Sequence, residues 1–342
     1  MRPLVIVVEE HLAEWETPYV EHDVFGTDVP EAIAAAIDEF CRRELGAPVV
    51  GCHFYGSSTG AVGGLVLADG RAVVLKVHRG RVPVRKLRAV QSVMATLSQA
   101  GFPCPAPCLA PTTLAHGTAT VEAYVTQGET RDAHCLEVRE EIASRLAELV
   151  TIASRGDIDR ASLGGAWFGS LPSDKLWPRP HSQLFDFEAT ASGAEWIDAW
   201  ARRARGIGGA GDRVVGHFDW RAEHFRFVDD RIVVAYDWDS LHFESEAVMV
   251  GAAAHAFTAN WEDEGVFPAP SVEEIQAFIA AYQQARGRPF GREEQQAVHA
   301  STVYSIAYTA RCQHALEPEP KSPRSAAFRD LLGTAGNALL GS

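Results

Sequence analysis

The sequence predicts an α+β fold in two parts, an antiparallel sheet followed by a mainly helical region. Three observations predict it. Short strand-like runs with turn signals crowd residues 49–125, helical spacing dominates from residue 135 onward, and the character changes near Gly128. A chain of 342 residues is long enough for one large or two medium domains. With 46% apolar and 22% charged residues, it is not a disordered chain. The formal charge of −14, from 31 basic and 45 acidic residues, argues against a nucleic-acid partner and leaves a cationic small ligand open.

No run reaches the roughly 18–20 apolar residues that a bilayer span needs. The longest candidate, 247–257, contains His255. The opening run Leu4-Val5-Ile6-Val7-Val8 meets Glu9 and Glu10 without a basic lead, so a cytoplasmic chain with no membrane partner is expected. Six scattered cysteines do not form a disulfide framework, and Cys104 and Cys108, set among prolines, lack a second metal-binding pair. They read as packing residues. Nothing in the sequence specifies an oligomeric state.

The elements follow in order. Residues 28–45 form an amphipathic helix with Asp28 as N-cap, Pro30 near N1 and Gly46 past the end. Strands follow at 49–55, 61–67 and 72–77, divided by Gly56–Gly60 and by the hairpin signal Asp69-Gly70. Residues 84–100 are helical and stop at Gly101 and Pro103. Two more strands, 109–115 and 118–125, flank His116-Gly117. A helix covers 135–153, residues 155–193 are an ordered insertion rich in Gly, Pro and Ser, and 194–205 is again helical. A strand–loop–strand unit at 213–240 precedes helices near 246–259, 271–286 and 291–315. The expected division is residues 1–127 and 128–342.

The chemistry concentrates in His217-Phe218-Asp219-Trp220-Arg221-Ala222-Glu223-His224 and in Tyr236-Asp237-Trp238-Asp239. Strands 225–228 and 231–236 hinge on Asp229-Asp230, so the hairpin returns Asp237 to the side of Asp219, 18 residues earlier. Two carboxylates there can divide the work, one orienting a hydroxyl and the other holding a divalent cation. The alternative is a polar surface hairpin. In the first part, Val73-Val74-Leu75-Lys76 ends an apolar strand on a lysine, which either reaches phosphates or extends to water. Gly56-Ser57-Ser58-Thr59-Gly60 allows close backbone approach to phosphate, and a plain hairpin turn reads the same.

Together these segments resemble the aminoglycoside phosphotransferase and choline kinase branch of the protein-kinase-like fold. That branch has a His-Gly-Asp-x-x-x-x-Asn loop followed by an Ile-Asp-Trp-type motif, and His217, Asp219, Asp237 and Trp238 fall at its positions. The lysine strand resembles the kinase Val-Ala-Ile-Lys. The resemblance spans roughly residues 50–260. It implies a bilobal fold, with a sheet lobe that binds nucleotide and a helical lobe that carries catalysis.

The resemblance also implies an O-phosphotransferase using ATP or GTP with Mg2+, or Mn2+, on a small hydroxylated and possibly cationic acceptor. An aminoglycoside or another amino-sugar antibiotic is the first expectation; a sugar or a choline-like or homoserine-like alcohol is the alternative. Asp219 is the expected catalytic residue, and Asp237 with His224 the expected metal ligands. Lys76, Ser57 and Ser58 are expected at the nucleotide phosphates, with Gln91 either orienting Lys76 by a hydrogen bond or facing solvent, and with backbone at Ala123 and Val125 at the nucleobase.

Three departures stand out. His224 replaces the Asn of the pattern and Phe218 its Gly, and helix 84–100 lacks the glutamate that usually pairs the kinase lysine. Imidazole is a softer ligand than an amide oxygen, so His224 either shifts the metal preference or leaves a nucleotide-binding pseudoenzyme. Asp186, Glu188, Glu195 and Asp198 form an acidic region that could receive ammonium groups, while Trp177, Trp196, Trp200 and Trp261 read as packing. His242, Glu244, Glu246 and His255 follow no ligand spacing.

Overall fold

The computed structural model describes residues 1–15 and 17–341. Its contacts divide into two compact units, Met1–Gln99 with Cys104–Thr126, and Ala100–Pro103 with Gln127–Ser342.

The first unit opens with α1 (Leu4–Ala13), α2 (Tyr19–Phe25) and α3 (Pro30–Phe40), the last running into a π-helical turn at Cys41–Leu45. The N-cap of α3 is Val29 rather than Asp28, because Pro30 occupies the first helical position and fixes the cap one residue before it. Five strands follow: β1 (Val49–Ser57), β2 (Gly60–Leu67), β3 (Ala72–His78), β4 (Pro107–Leu114) and β5 (Gly117–Ala123). Helix α4 (Val84–Gln99) stands between β3 and β4. The sheet order is β1-β2-β3-β5-β4, and every pair is antiparallel.

Alternation gives this sheet two different faces. Val73, Leu75 and Val77 of β3 and Ala119 and Val121 of β5 join Leu4, Val7, Val8, Ile33, Ile37 and Phe40 in one apolar core. Helices α1–α3 therefore cover one face, and Lys76 belongs to the other.

The second unit is mainly helical. It contains α5 (Leu136–Arg155), the short turns α6 (Arg160–Leu163) and α7 (Trp167–Ser170), and α8 (Glu195–Ile207). Later come α9 (Glu246–Ala256), α10 (Val272–Arg286), α11 (Arg292–Leu316) and α12 (Pro323–Leu340). Two small antiparallel sheets are set among them: β6 (Arg213–His217) with β9 (Leu241–Ser245), and β7 (Phe225–Val228) with β8 (Arg231–Ala235).

Helix α9 is buried nearly all round, as its Ala-rich sequence allows. At Gly251 it crosses α11 so closely that a Cβ would collide with the Val298 carbonyl and Ser301. Among the described residues, no helix is long and apolar enough to cross a membrane.

Candidate active site

The loop 218–224 and Asp237 are held from several sides. Strand β6 pairs with β9 so that His217 faces Leu241, and the Phe218 N–H donates to the Ser240 carbonyl at 3.0 Å. The loop's far half is fixed by the end of α9 and the residues after it. The Ala222 N–H donates to the Phe257 carbonyl at 3.0 Å, and the Glu223 N–H to that of Ala259 at 3.3 Å. Trp220, fully buried, donates from Nε1 to the Ile142 carbonyl at 2.9 Å.

The β7–β8 hairpin turns at Asp229 and Asp230, both with positive φ. It is tied to α5 by the buried carboxylate of Glu141, which accepts from Arg231 at 2.7 Å and from the Ile232 N–H at 3.2 Å. A carboxylate this deep is tolerable because Arg145 and Arg231 both reach it. The hairpin ends by donating the Tyr236 N–H to the His224 carbonyl at 2.9 Å. Asp237 then takes a left-handed backbone, φ 63° and ψ 49°, which only a few residue types accept without cost.

These constraints bring one oxygen of Asp219, one ring nitrogen of His224 and one oxygen of Asp237 within 4.8 Å of one another. His217 lies behind them, wholly buried and edge-on to Trp220 and Trp238. Its Nδ1 accepts the Asp219 N–H at 3.2 Å, which leaves the proton on Nε2 to donate to the Asp237 carbonyl at 2.9 Å. Burial, and His224 after it, push His217 down to about 4 and keep the ring neutral.

His224 is oriented by similar logic. Its Nδ1 stands 3.0 Å from the Asp219 carbonyl and must donate, so in the neutral ring Nε2 carries the lone pair, which Arg221 Nε approaches at 3.4 Å. That Nε2 lies 4.0 Å from Asp237 Oδ2 and 3.4 Å from Glu223 Oε1. Burial and the Arg221 guanidinium oppose a charged ring, yet Glu223, Asp219 and Asp237 together raise its pKa. Burial also opposes a charged Glu223, but His224 and Arg221 hold its carboxyl below the usual range. Arg221, which the motif pattern does not mark, pairs with Asp219 Oδ2 at 3.2 Å and Glu223 Oε1 at 2.8 Å. An ion pair inside a loop follows no spacing rule, so only the folded chain reveals it.

The remaining candidates are placed individually. Lys76 is on β3, opposite Thr120 of β5. The Ser57 hydroxyl meets His11 Nε2 at 2.9 Å, so it is engaged by α1. Ser58 is exposed in the β1–β2 turn, its N–H donating to the Gly60 carbonyl at 3.0 Å. Gln91 donates to the Leu109 carbonyl at 2.7 Å, tying α4 to β4. The Ala123 N–H is spent on the Ala106 carbonyl at 3.0 Å, whereas Val125 lies beyond the end of β5.

In the acidic region, Asp198 accepts from Trp177 Nε1 at 2.9 Å and Asp186 caps the turn that follows it. Trp177 packs against Phe187, Tyr304 and Tyr308, as expected of a packing residue. Phe218 turns its ring toward His242. Glu246 is engaged by Tyr282 and Arg286, and His255 contacts Thr309, so these residues do not form a metal cluster with His242. All six cysteines are free.

A family model described as the phosphotransferase enzyme family matches residues 65–294, about two thirds of the chain. The chain belongs to this family. The resemblance carried by His217, Asp219, Asp237 and Trp238 thus identified the right enzyme class, a small-molecule phosphotransferase.

Among solved structures, the phosphotransferase is similar to amicoumacin kinase hAmiN, at 10% identity over 86% of this chain and 88% of that one, with a TM-score of 0.55. Spectinomycin phosphotransferase APH(9)-Ia is 10% identical over 87% of this chain and 94% of that one, with a TM-score of 0.52. A thermostable mutant of aminoglycoside phosphotransferase APH(4)-Ia is 14% identical over 89% of this chain and all of that one, with a TM-score of 0.53. At such identities the likeness shows the fold, which is kinase-like. No curated protein matches the sequence.

Proposed function

We propose that this phosphotransferase moves the terminal phosphoryl group of ATP or GTP to a hydroxyl of a small molecule, with an aminoglycoside or related amino-sugar antibiotic as the leading acceptor class. The observation that carries the proposal is the convergence of Asp219, His224 Nε2 and Asp237 within 4.8 Å. Two of the similar structures support the reading of nucleotide and acceptor. One was solved with AMP-PNP, Ca2+ and the ligand Ami, the other with ADP and spectinomycin.

In this proposal Asp219 orients the acceptor hydroxyl. Arg221 engages Oδ2, which presents Oδ1 to the acceptor. As the acceptor oxygen bonds to the γ-phosphorus, the bond to the nucleoside diphosphate breaks and the hydroxyl proton passes to Asp219. Asp237 and His224 fit a divalent cation, since a carboxylate oxygen faces an imidazole lone pair whose other nitrogen is fixed by a backbone carbonyl. A magnesium or manganese ion held by Asp237 and His224 would neutralise charge on phosphate oxygens. Lys76 steadies the phosphates, with Ser58 and the backbone at Val125 as further nucleotide contacts. Ser57, Gln91 and Ala123 have bonds within the first unit and act there as supports.

The test is nucleoside diphosphate release, with ATP and GTP in turn, across a panel of aminoglycosides, other amino sugars, plain sugars, choline and homoserine. Release dependent on an amino-sugar acceptor is expected. Release only with a plain sugar or a small alcohol would replace the acceptor class, and none with any acceptor would overturn the proposal.

A further inference from the structure

Helix α4 contains no aspartate or glutamate, so the carboxylate that usually holds a kinase lysine is missing from its usual element. The face of the sheet that carries Lys76 supplies one from elsewhere. Lys76 pairs with Thr120 and Val74 with Glu122, so Lys76 and Glu122 are diagonal neighbours on the face opposite the α1–α3 core. The same diagonal, one step along, is already bridged. His78 pairs with Thr118, yet its Nε2 reaches the Thr120 hydroxyl at 2.9 Å. Lysine and glutamate are both long enough to close the next one.

Burial points the same way. Glu122 is only 6% exposed, a position a carboxylate holds when a cation answers it. The nearby Cys104 thiol feels both groups: burial raises its pKa first, Glu122 raises it further, and Lys76 lowers it.

We propose that Glu122, on β5, is the positioning residue for Lys76 and replaces the missing helix glutamate. The inference rests on the reading of Lys76 as a phosphate contact. Its consequence is that the lysine is held within the sheet itself, so movement of α4 does not release it.

The test measures binding of Mg·ATP and Mg·GTP by calorimetry. Lys76→Ala and Glu122→Gln are each expected to weaken binding of the preferred nucleotide by about tenfold, and the double variant no further than Lys76→Ala alone. Glu122→Asp should recover part of the loss. If Lys76→Ala weakens binding and Glu122→Gln does not, or if the two losses multiply, Glu122 does not act through the lysine while the phosphate role of Lys76 stands. Unchanged binding in Lys76→Ala overturns both readings.

A second measurement needs no change at 122. In the native chain with 13C-labelled lysine, the Lys76 signal is assigned by its loss in Lys76→Ala. A facing carboxylate should make it titrate above the ordinary lysine value of about 10.4, and titration below that value overturns the pairing.

Discussion

His217 Nε2 lies 2.9 Å from the carbonyl oxygen of Asp237, while the same ring accepts the backbone N–H of Asp219. One neutral imidazole therefore sets the spacing between the backbones of two aspartates that are 18 residues apart in sequence. A rigid brace of this kind suits a reaction whose catalysis is mostly positioning.

Asp219→Asn should leave folding and nucleotide binding intact and lower turnover by about 10²–10⁴-fold, or roughly 3–5 kcal/mol of barrier. Steady-state kinetics with an identified acceptor checks this. Wild-type turnover would remove Asp219 from the catalytic role.

Arg221→Lys keeps the charge but loses the planar guanidinium whose Nη2 meets both Asp219 and Glu223. The expected result is a kcat about tenfold lower with little change in the KM for nucleotide. An unchanged kcat would mean that the guanidinium only balances charge in the loop.

The lone pair of His224 Nε2 makes a prediction about metal. Activity with manganese should exceed that with magnesium, because nitrogen ligands favour the former. His224→Asn should move the ratio toward magnesium by substituting an amide oxygen. The same ratio in both chains would exclude His224 from the ligand set.

Two histidines give the second unit opposite pH dependences. His255, donating from Nδ1 to the Ala252 carbonyl and meeting Thr309 at 3.2 Å, is pushed down to about 4 by burial. Unfolded, it takes a proton near 6.5, so its contribution to stability is lost as pH falls from about 6.5 to 4. At His134, burial acts against charge, but the Phe267 carbonyl and Glu274 raise its pKa; that contribution is full below about 6.5 and lost as pH rises through the folded value. Comparing the native chain with His255→Asn isolates the first. In urea unfolding, acidification from pH 6.5 to 4.5 should cost the native chain on the order of 2 kcal/mol more than the variant. Parallel losses would refute it.

Gly251→Ala should destabilise the protein. A glycine-to-alanine change inside a helix ordinarily gains up to about 1 kcal/mol. Here the new Cβ would collide with the Val298 carbonyl and lie 2.7 Å from Ser301 Cβ, forcing α9 and α11 apart at a cost of about 1–3 kcal/mol. A lower Tm is expected, and a higher one would show that the crossing can relax.

Much of this was legible before folding. The strands of the first sheet show as short apolar runs between turn signals, and the segment 217–239 states its chemistry in residue types at fixed spacing. What escaped has physical reasons. Leu4–Val8 is a β-branched apolar run, yet it coils because Leu4, Val7, Val8 and Leu12 bury one helical face. The glycines Gly333 and Gly336 blur the period of α12, where Gly336 packs on Trp200. The β6–β9 pairing joins residues more than twenty positions apart, which no local pattern encodes. No local pattern ties Glu122 to Lys76; only the register of β3 with β5 shows the diagonal.

Helices α1–α3 and strand β1 lie before residue 65, where the shared family region begins. Yet Leu4, Val8, Ile33, Ile37 and Phe40 supply the apolar cover for β3 and β5, which lie inside that region. The stretch held in common by inheritance is thus shorter than the stretch that must fold together. Cutting the gene at the edge of the likeness would leave the lysine strand with one wall of its core open to water.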